Sequence, residues 1–175
     1  MSDLISMVKN KDIDINELWF ETTPIYKIVI LSILTFGFYN IVLLYNYWKV
    51  FKKKFGYAIS PSCRAIFCGI YCFSLFPKLD KYIKTFNIAS FPPILLAIFF
   101  IFLNALSSQP NPNPYSILNI FTFIIFIIIQ NKLNFINEQH FPNAKQNNWS
   151  LANTLWSIPC SILFFIYLIG TFANK

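Results

Sequence analysis

Apolar residues fall in long unbroken blocks instead of alternating with polar ones. Ile28 to Trp48 carries no charge and is bounded by Lys27 and Lys49. Phe91 to Ser108 opens on Pro92 and Pro93, which the first turn of a helix tolerates. Tyr115 to Asn131 contains the run Phe123-Ile124-Ile125-Phe126-Ile127-Ile128-Ile129, and Leu151 to Phe172 carries Pro159 inside it. About 20 apolar residues are needed to cross roughly 30 Å of hydrocarbon as a helix. The four blocks therefore predict transmembrane helices at about 28–48, 91–108, 115–131 and 151–172. Strands of a membrane barrel would alternate polar and apolar positions, and these do not. Ala65 to Pro77, between Arg64 and Lys78, is apolar but too short for a span. It predicts an interfacial or re-entrant helix at about 64–77.

The first 27 residues are polar and mixed in charge, which divides the chain into a tail, 1–27, and a single membrane domain, 28–175. Leu4, Val8, Ile15 and Leu18 have near-helical spacing, so the tail can lie along a membrane surface. It has no short apolar core or small-residue cleavage site, so the first block reads as a retained signal-anchor.

Composition sharpens this picture. AVILMFWYC residues make up 56% of the 175, and charged residues only 12%, about half the roughly 25% usual in soluble domains. Such a chain is too apolar to be disordered and too poor in charge to cover a soluble surface. Four Cys in this length do not make a disulfide scaffold.

Charge then sets orientation. Lys49, Lys52, Lys53, Lys54, Arg64, Lys78, Lys81 and Lys84 are eight of the 14 basic residues, and all lie between the first two blocks. The positive-inside rule puts that segment in the cytoplasm. The uncharged loop 107–116 then lies outside, and four crossings leave both termini outside; the alternatives are an inverted four-span chain and a five-span chain in which Ala65 to Pro77 also crosses. Lys49, Lys52, Lys53 and Lys54 adjoin the first block, where each basic residue attracts anionic headgroups by roughly 1 kcal/mol. This favours lipid over nucleic acid as the partner of the basic cluster.

Polar residues inside the blocks suggest helix packing. Gly37, Asn40, Leu44 and Tyr47 share one helical face. Asn104 and Asn119 are expected at similar depth on neighbouring spans, close enough to hydrogen-bond. Asn119, Thr122, Phe126 and Gln130 form a stripe, and Asn153, Ser157 and Ser161 repeat at i+4. Small and carboxamide side chains let membrane helices approach and bond. No Asp, Glu, Lys, Arg or His lies inside the four blocks. That counts against a proton relay or ion-coupled pump.

Candidate chemistry is sparse. Cys63, Cys68 and Cys72 cluster, but a structural zinc site takes about four N/S ligands, and the one His, His140, is remote in sequence. No metal or cofactor is expected. Phosphate loops, nucleophile elbows and paired carboxylates are absent from the sequence. Asp80, Glu138 and His140 are the only general acid–base candidates on the basic side.

Several runs taken together resemble a family of uncharacterised bacterial multi-span inner-membrane proteins with a Thr-x-Gly-x-Tyr first span and a Tyr/Trp-rich exit. They are Pro24 to Lys27, Thr35-Phe36-Gly37-Phe38-Tyr39-Asn40, Tyr45-Asn46-Tyr47-Trp48-Lys49, Pro61-Ser62-Cys63-Arg64-Ala65-Ile66-Phe67 and Tyr71 to Phe76. Gln130 to Asn134, Pro142-Asn143 and Asn148-Trp149 extend the likeness. It implies a bacterial inner-membrane protein and supplies no mechanism. The sequence as a whole predicts an all-α membrane protein of about four transmembrane helices plus one interfacial or re-entrant helix. Its expected role is non-enzymatic: an assembly, accessory or interaction protein contacting anionic lipid headgroups and other membrane proteins or further copies of itself. The alternatives are a small oligomeric pore or transporter and, third, a lipid-modifying enzyme.

Overall fold

The computed structural model describes residues 20–107, 118, 120–141 and 146–173. These are all-helical, with seven helices: α1 (Ile25–Leu34), α2 (Phe38–Phe55), α3 (Pro61–Ile66), α4 (Cys68–Lys84), α5 (Pro93–Ser107), α6 (Phe123–His140) and α7 (Leu151–Ala173). The only extended pairing among the described residues is an isolated parallel bridge between Thr22 and Gln146.

The apolar run 28–48 is not one helix. It breaks at Thr35–Gly37 and folds back as a hairpin. α1 closes with a Schellman pattern: Gly37 N–H donates to the Ser32 carbonyl (2.8 Å) and Phe36 N–H to that of Ile33 (3.2 Å). Phe36 (φ 53°) and Gly37 (φ 85°) are both left-handed, which turns the chain. Thr35 stitches the turn, its hydroxyl donating to the Leu31 carbonyl (2.6 Å) and accepting from Tyr39 N–H (2.9 Å). Across the hairpin, Ser32 Oγ donates to Asn40 Oδ1 at 3.0 Å. The two legs then meet α6 in opposite senses. Asn40 bonds Thr122 and Tyr47 bonds Gln130, so α2 runs parallel to α6. Thr23, just before α1, bonds Asn134, so α1 runs antiparallel to it. A side chain at Gly37 would be strained in the left-handed region. Gly37→Ala is expected to cost about 1–2 kcal/mol, read as a lower thermal midpoint in detergent.

A second hairpin follows. α2 ends at Gly56 (φ 65°), and α3 returns along it. The chain reverses again at Phe67 (φ −86°, ψ 41°), and α4 descends beside α2. Cys68 and Leu44 line one cleft, and Lys54 stands over Tyr82. α4 runs on to Lys84, well beyond the expected limit of 77, because its second half has a buried face of Leu79, Asp80, Tyr82 and Ile83. Asn87 (φ 58°) turns the chain towards α5, since Asn tolerates this region better than most residues. α5 ascends against α4, with Phe76 and Phe100 rings 6.3 Å apart. α6 descends against α5, with Phe100 and Phe126 at 6.0 Å. α7 rises from the same end as α1 and packs on it.

The helices therefore alternate in direction between two unlike ends. One holds Lys49–Lys54, Lys78–Lys84 and Lys132. The other holds the hairpin apices, where Phe38, Ile66, Phe67 and Ile70 are exposed.

Four long apolar helices are thus not what forms. Among the described residues one helical stretch, Ile120–His140, is long and apolar enough to cross a membrane, and half of it is buried. The first block is divided by its hairpin. The second yields a helix of 15 residues. The third is displaced, with its helix running nine residues past Asn131 to His140. α7 matches the fourth block within a residue. Phe20, Thr23 and Lys27, at the end of the 1–27 segment, are buried in the body of the protein. Phe20 meets the rings of Tyr47, Phe51 and Tyr82 edge-on at 5.1–5.9 Å. The expected surface helix through Leu4, Val8, Ile15 and Leu18 lies outside the described residues.

Candidate functional site

The polar interior is organised by three carboxamides of α6. Gln130, Asn134 and Asn137 fall at i, i+4 and i+7, hence on one face. That face holds the extended segment 20–24. Asn134 treats Thr23 as a neighbouring strand would: its Oδ1 accepts from Thr23 N–H (3.1 Å) and its Nδ2 donates to the Thr23 carbonyl (2.8 Å). Gln130 accepts from the Tyr47 hydroxyl (2.9 Å) and donates to the Glu21 carbonyl (2.9 Å) and Asn134 Oδ1 (2.8 Å). Asn137 donates to the Phe20 carbonyl (2.7 Å) and Thr22 Oγ1 (2.9 Å). Among the described residues there is no sheet for segment 20–24 to join, and the side-chain amides supply the bonds that buried backbone requires.

Lys27 closes the same end. It is 2% exposed. Its ammonium donates to the carbonyls of Asn147 (3.0 Å) and Asn148 (2.9 Å) and to Asn147 Oδ1 (2.5 Å). Asn153, with its amide oriented to satisfy its neighbours, adds an oxygen at 3.1 Å. Burial pulls the ammonium below its usual pKa, and the charge of Glu21 opposes that shift. Lys27 thereby ties the start of α1 to the start of α7.

At the apolar end a half-open cleft of about 260 Å³ lies between the first hairpin, α4, α5 and α6. Gly37, Asn40, Cys68, Asn104 and Thr122 bring polar or small groups to it among the rings of Phe36, Phe38 and Phe100. Three expected packing residues, Gly37, Asn40 and Asn104, therefore converge here. Asn40 is satisfied by Ser32 and Thr122, and Asn104 donates to the Phe100 carbonyl in its own helix (2.7 Å). Asn119 lies outside the described residues, as does its expected contact with Asn104. On α7, Ser157 is buried. Ser157 and Ser161 donate to the carbonyls of Thr154 (3.0 Å) and Ser157 (2.6 Å), within their own helix.

At the basic end Lys49, Lys52 and Lys53 are exposed, and Lys54 turns inward. Its Nζ stands 4.5 Å from the Tyr82 ring centroid, and burial lowers its pKa to about 8. The sign of the pH effect follows. Below pH 8 the folded state carries the full cost of a desolvated charge. Between 8 and the unfolded value of 10.5 the unfolded chain binds more protons, so stability rises with pH. The midpoint of the wild type relative to Lys54→Met is expected to rise across this window. A flat difference would refute the placement of Lys54.

The acid–base candidates do not assemble. Asp80 is buried, ion-paired with Lys84 (2.7 Å), and accepts from Phe91 N–H (3.2 Å). It fixes the α4–α5 corner. Glu138 and His140 are exposed, with His140 against Phe86 and Phe141. Among the described residues no three His, Cys, Asp or Glu side chains converge as metal ligands. Cys63 is exposed, Cys68 half-buried, and Cys72 buried with its thiol near the Gly69 carbonyl (3.2 Å).

Sequence reasoning missed the roles of Asn134, Asn137 and Lys27. The signal for the first two was a row of carboxamides at helical spacing beyond the apolar run. Lys27 gave no such signal, because its partners lie about 120 residues away. The chain matches no family model, no curated protein and no solved structure.

Proposed function

We propose that this chain is a multi-pass protein of the bacterial inner membrane, in which α5, α6 and α7 cross and the two hairpins enter and return. Its role is non-enzymatic: it acts as an anchoring or interaction protein whose basic end faces anionic headgroups on the cytoplasmic side. The carrying observation is the exposed face of α7. Leu151, Leu155, Ile158, Ile162, Phe165, Ile166 and Ile169 are all exposed, each by more than half. Such a contiguous apolar surface is characteristic of contact with lipid or a partner. At 1.5 Å per residue α7 reaches about 34 Å, enough to cross. α5 is shorter, at about 22 Å, and local thinning of the bilayer accommodates it. On its outward side Ile94, Leu95, Ile98, Phe99 and Phe102 are exposed as well. The concentration of lysines at the opposite end from the exposed hairpin apices supports the orientation.

Extraction of membranes with alkaline carbonate tests this reading. Retention of the whole chain in the membrane pellet is expected. Release into the supernatant would refute insertion.

A further inference from the structure

Trp48 is fully buried, and two cations approach its ring. The Arg64 guanidinium of α3 lies 4.6 Å from its ring centroid, and Lys78 Nζ of α4 lies 5.3 Å from it. Each cation has a second ring. Arg64 stands 4.9 Å from Tyr71, and Lys78 stands 5.0 Å from Tyr57. Lys78 also donates to Ser74 Oγ at 3.2 Å. Tyr71, Ser74 and Lys78 follow i, i+3, i+7 spacing and share a face of α4.

Among the described residues no carboxylate pairs with either cation. Asp80, two residues after Lys78 in sequence, is taken by Lys84 and Phe91 N–H. Burial lowers the pKa of Lys78, and the charge of Arg64 lowers it further. Two like charges are thus held around one ring, offset among the described residues by aromatic faces and a hydroxyl. Beside this face the same helix exposes Ile70 and Phe73, which lead to the exposed apex at Ile66 and Phe67. A charged headgroup position therefore adjoins an apolar track.

The geometry points to a phosphate site for a membrane phospholipid, in which Arg64 and Lys78 grip the phosphate above Trp48 while an acyl chain follows Phe73, Ile70 and Phe67. Arg suits such an anion because its planar fork bonds two oxygens at once. Tyr57 and Ser74 add neutral hydroxyls at the rim. This inference rests on the membrane reading above and narrows it from a diffuse basic face to one binding position. Lys52 and Lys53, exposed on the neighbouring helix, lie outside the site and serve as controls.

The test measures retention of phosphatidylglycerol by the detergent-purified full chain, using native mass spectrometry with phosphatidylcholine as comparison. Arg64→Gln and Lys78→Gln are each expected to weaken phosphatidylglycerol retention about tenfold, the equivalent of roughly 1.4 kcal/mol. The double change Lys52→Gln with Lys53→Gln is expected to weaken it less than about twofold, as for exposed charges. Equal losses in all variants would overturn the site in favour of diffuse attraction. Displacement of the lipid by millimolar inorganic phosphate would overturn the lipid as its occupant. A second measurement needs no substitution: amine acylation of the wild type, mapped by peptide. Phosphatidylglycerol is expected to protect Lys78 and leave Lys52 reactive. Equal reactivity of Lys78 with and without lipid would overturn the proposal even where a variant misfolds. Carbonate release would defeat the membrane reading itself, whereas membrane retention without lipid preference would defeat this site alone.

Discussion

Lys27→Met is expected to cost the protein about 3–5 kcal/mol of stability. Methionine matches lysine in length, so packing volume is nearly kept and the loss is electrostatic. The ammonium currently serves two backbone carbonyls and one side-chain oxygen of Asn147 and Asn148, at 2.5–3.0 Å. Removing it leaves these oxygens without their donor at a site where Lys27 is 2% exposed. Each orphaned group costs about 1–3 kcal/mol, and three part-buried ones together about 3–5 kcal/mol. Marginal domains have only about 5–15 kcal/mol to lose. The check is the thermal midpoint in detergent together with protease sensitivity. A variant as stable as the wild type would mean that the link between α1 and α7 is not needed.

Asn134→Leu is expected to be nearly as damaging, for a different reason. Leucine has the same branched heavy-atom skeleton as asparagine, though its methyls are bulkier, and suits an apolar helix face better. It cannot satisfy Thr23, whose N–H and carbonyl both bond to the Asn134 amide. Gln130 loses its acceptor as well. Two or three buried polar groups left unpaired give about 2–4 kcal/mol. Asn131→Leu is the control. It lies three residues earlier on the exposed side of α6, where a substitution shifts stability by less than about 0.5 kcal/mol. Similar midpoints for the two variants would contradict the role of the carboxamide row.

Hydropathy located α5 and α7 because those helices keep wide apolar faces, and blocks of apolar residues report such faces directly. It misplaced α6 because the end of that helix is set by bonding. Gln130, Asn134 and Asn137 are polar yet inward-facing, engaged by segment 20–24. A scale that reads polar as exposed ends the element at Asn131. The first hairpin escaped for a related reason. One Gly in an apolar run is ordinary in membrane helices, so Gly37 by itself predicts no break. The turn is fixed by Phe36 in a left-handed conformation, by Thr35 bonding both legs, and by the Ser32–Asn40 contact across them. Only the Thr-x-Gly-x-Tyr pattern carried a trace of it. At the site, Gly37, Asn40 and Asn104 were legible as polar or small groups on apolar helices. Their meeting at one cleft depends on the hairpin and was not. The convergence of Arg64 and Lys78 on Trp48 was hidden because 14 residues separate the two cations and the ring that gathers them is on another helix.

The proposed membrane reading requires residues 25–55 to enter and return on one side, since a single crossing at 28–48 would put the two flanks on opposite sides. A chain with Cys63, Cys68, Cys72 and Cys160 changed to Ala would carry one new cysteine, in place of either Glu21 or Lys52. Each is exposed to a membrane-impermeant thiol reagent in intact cells and again after the cells are opened. The hairpin predicts the same behaviour at both positions, with labelling only after opening. Labelling of the Glu21 position in intact cells, with the Lys52 position labelled only after opening, would contradict the hairpin and restore a single crossing.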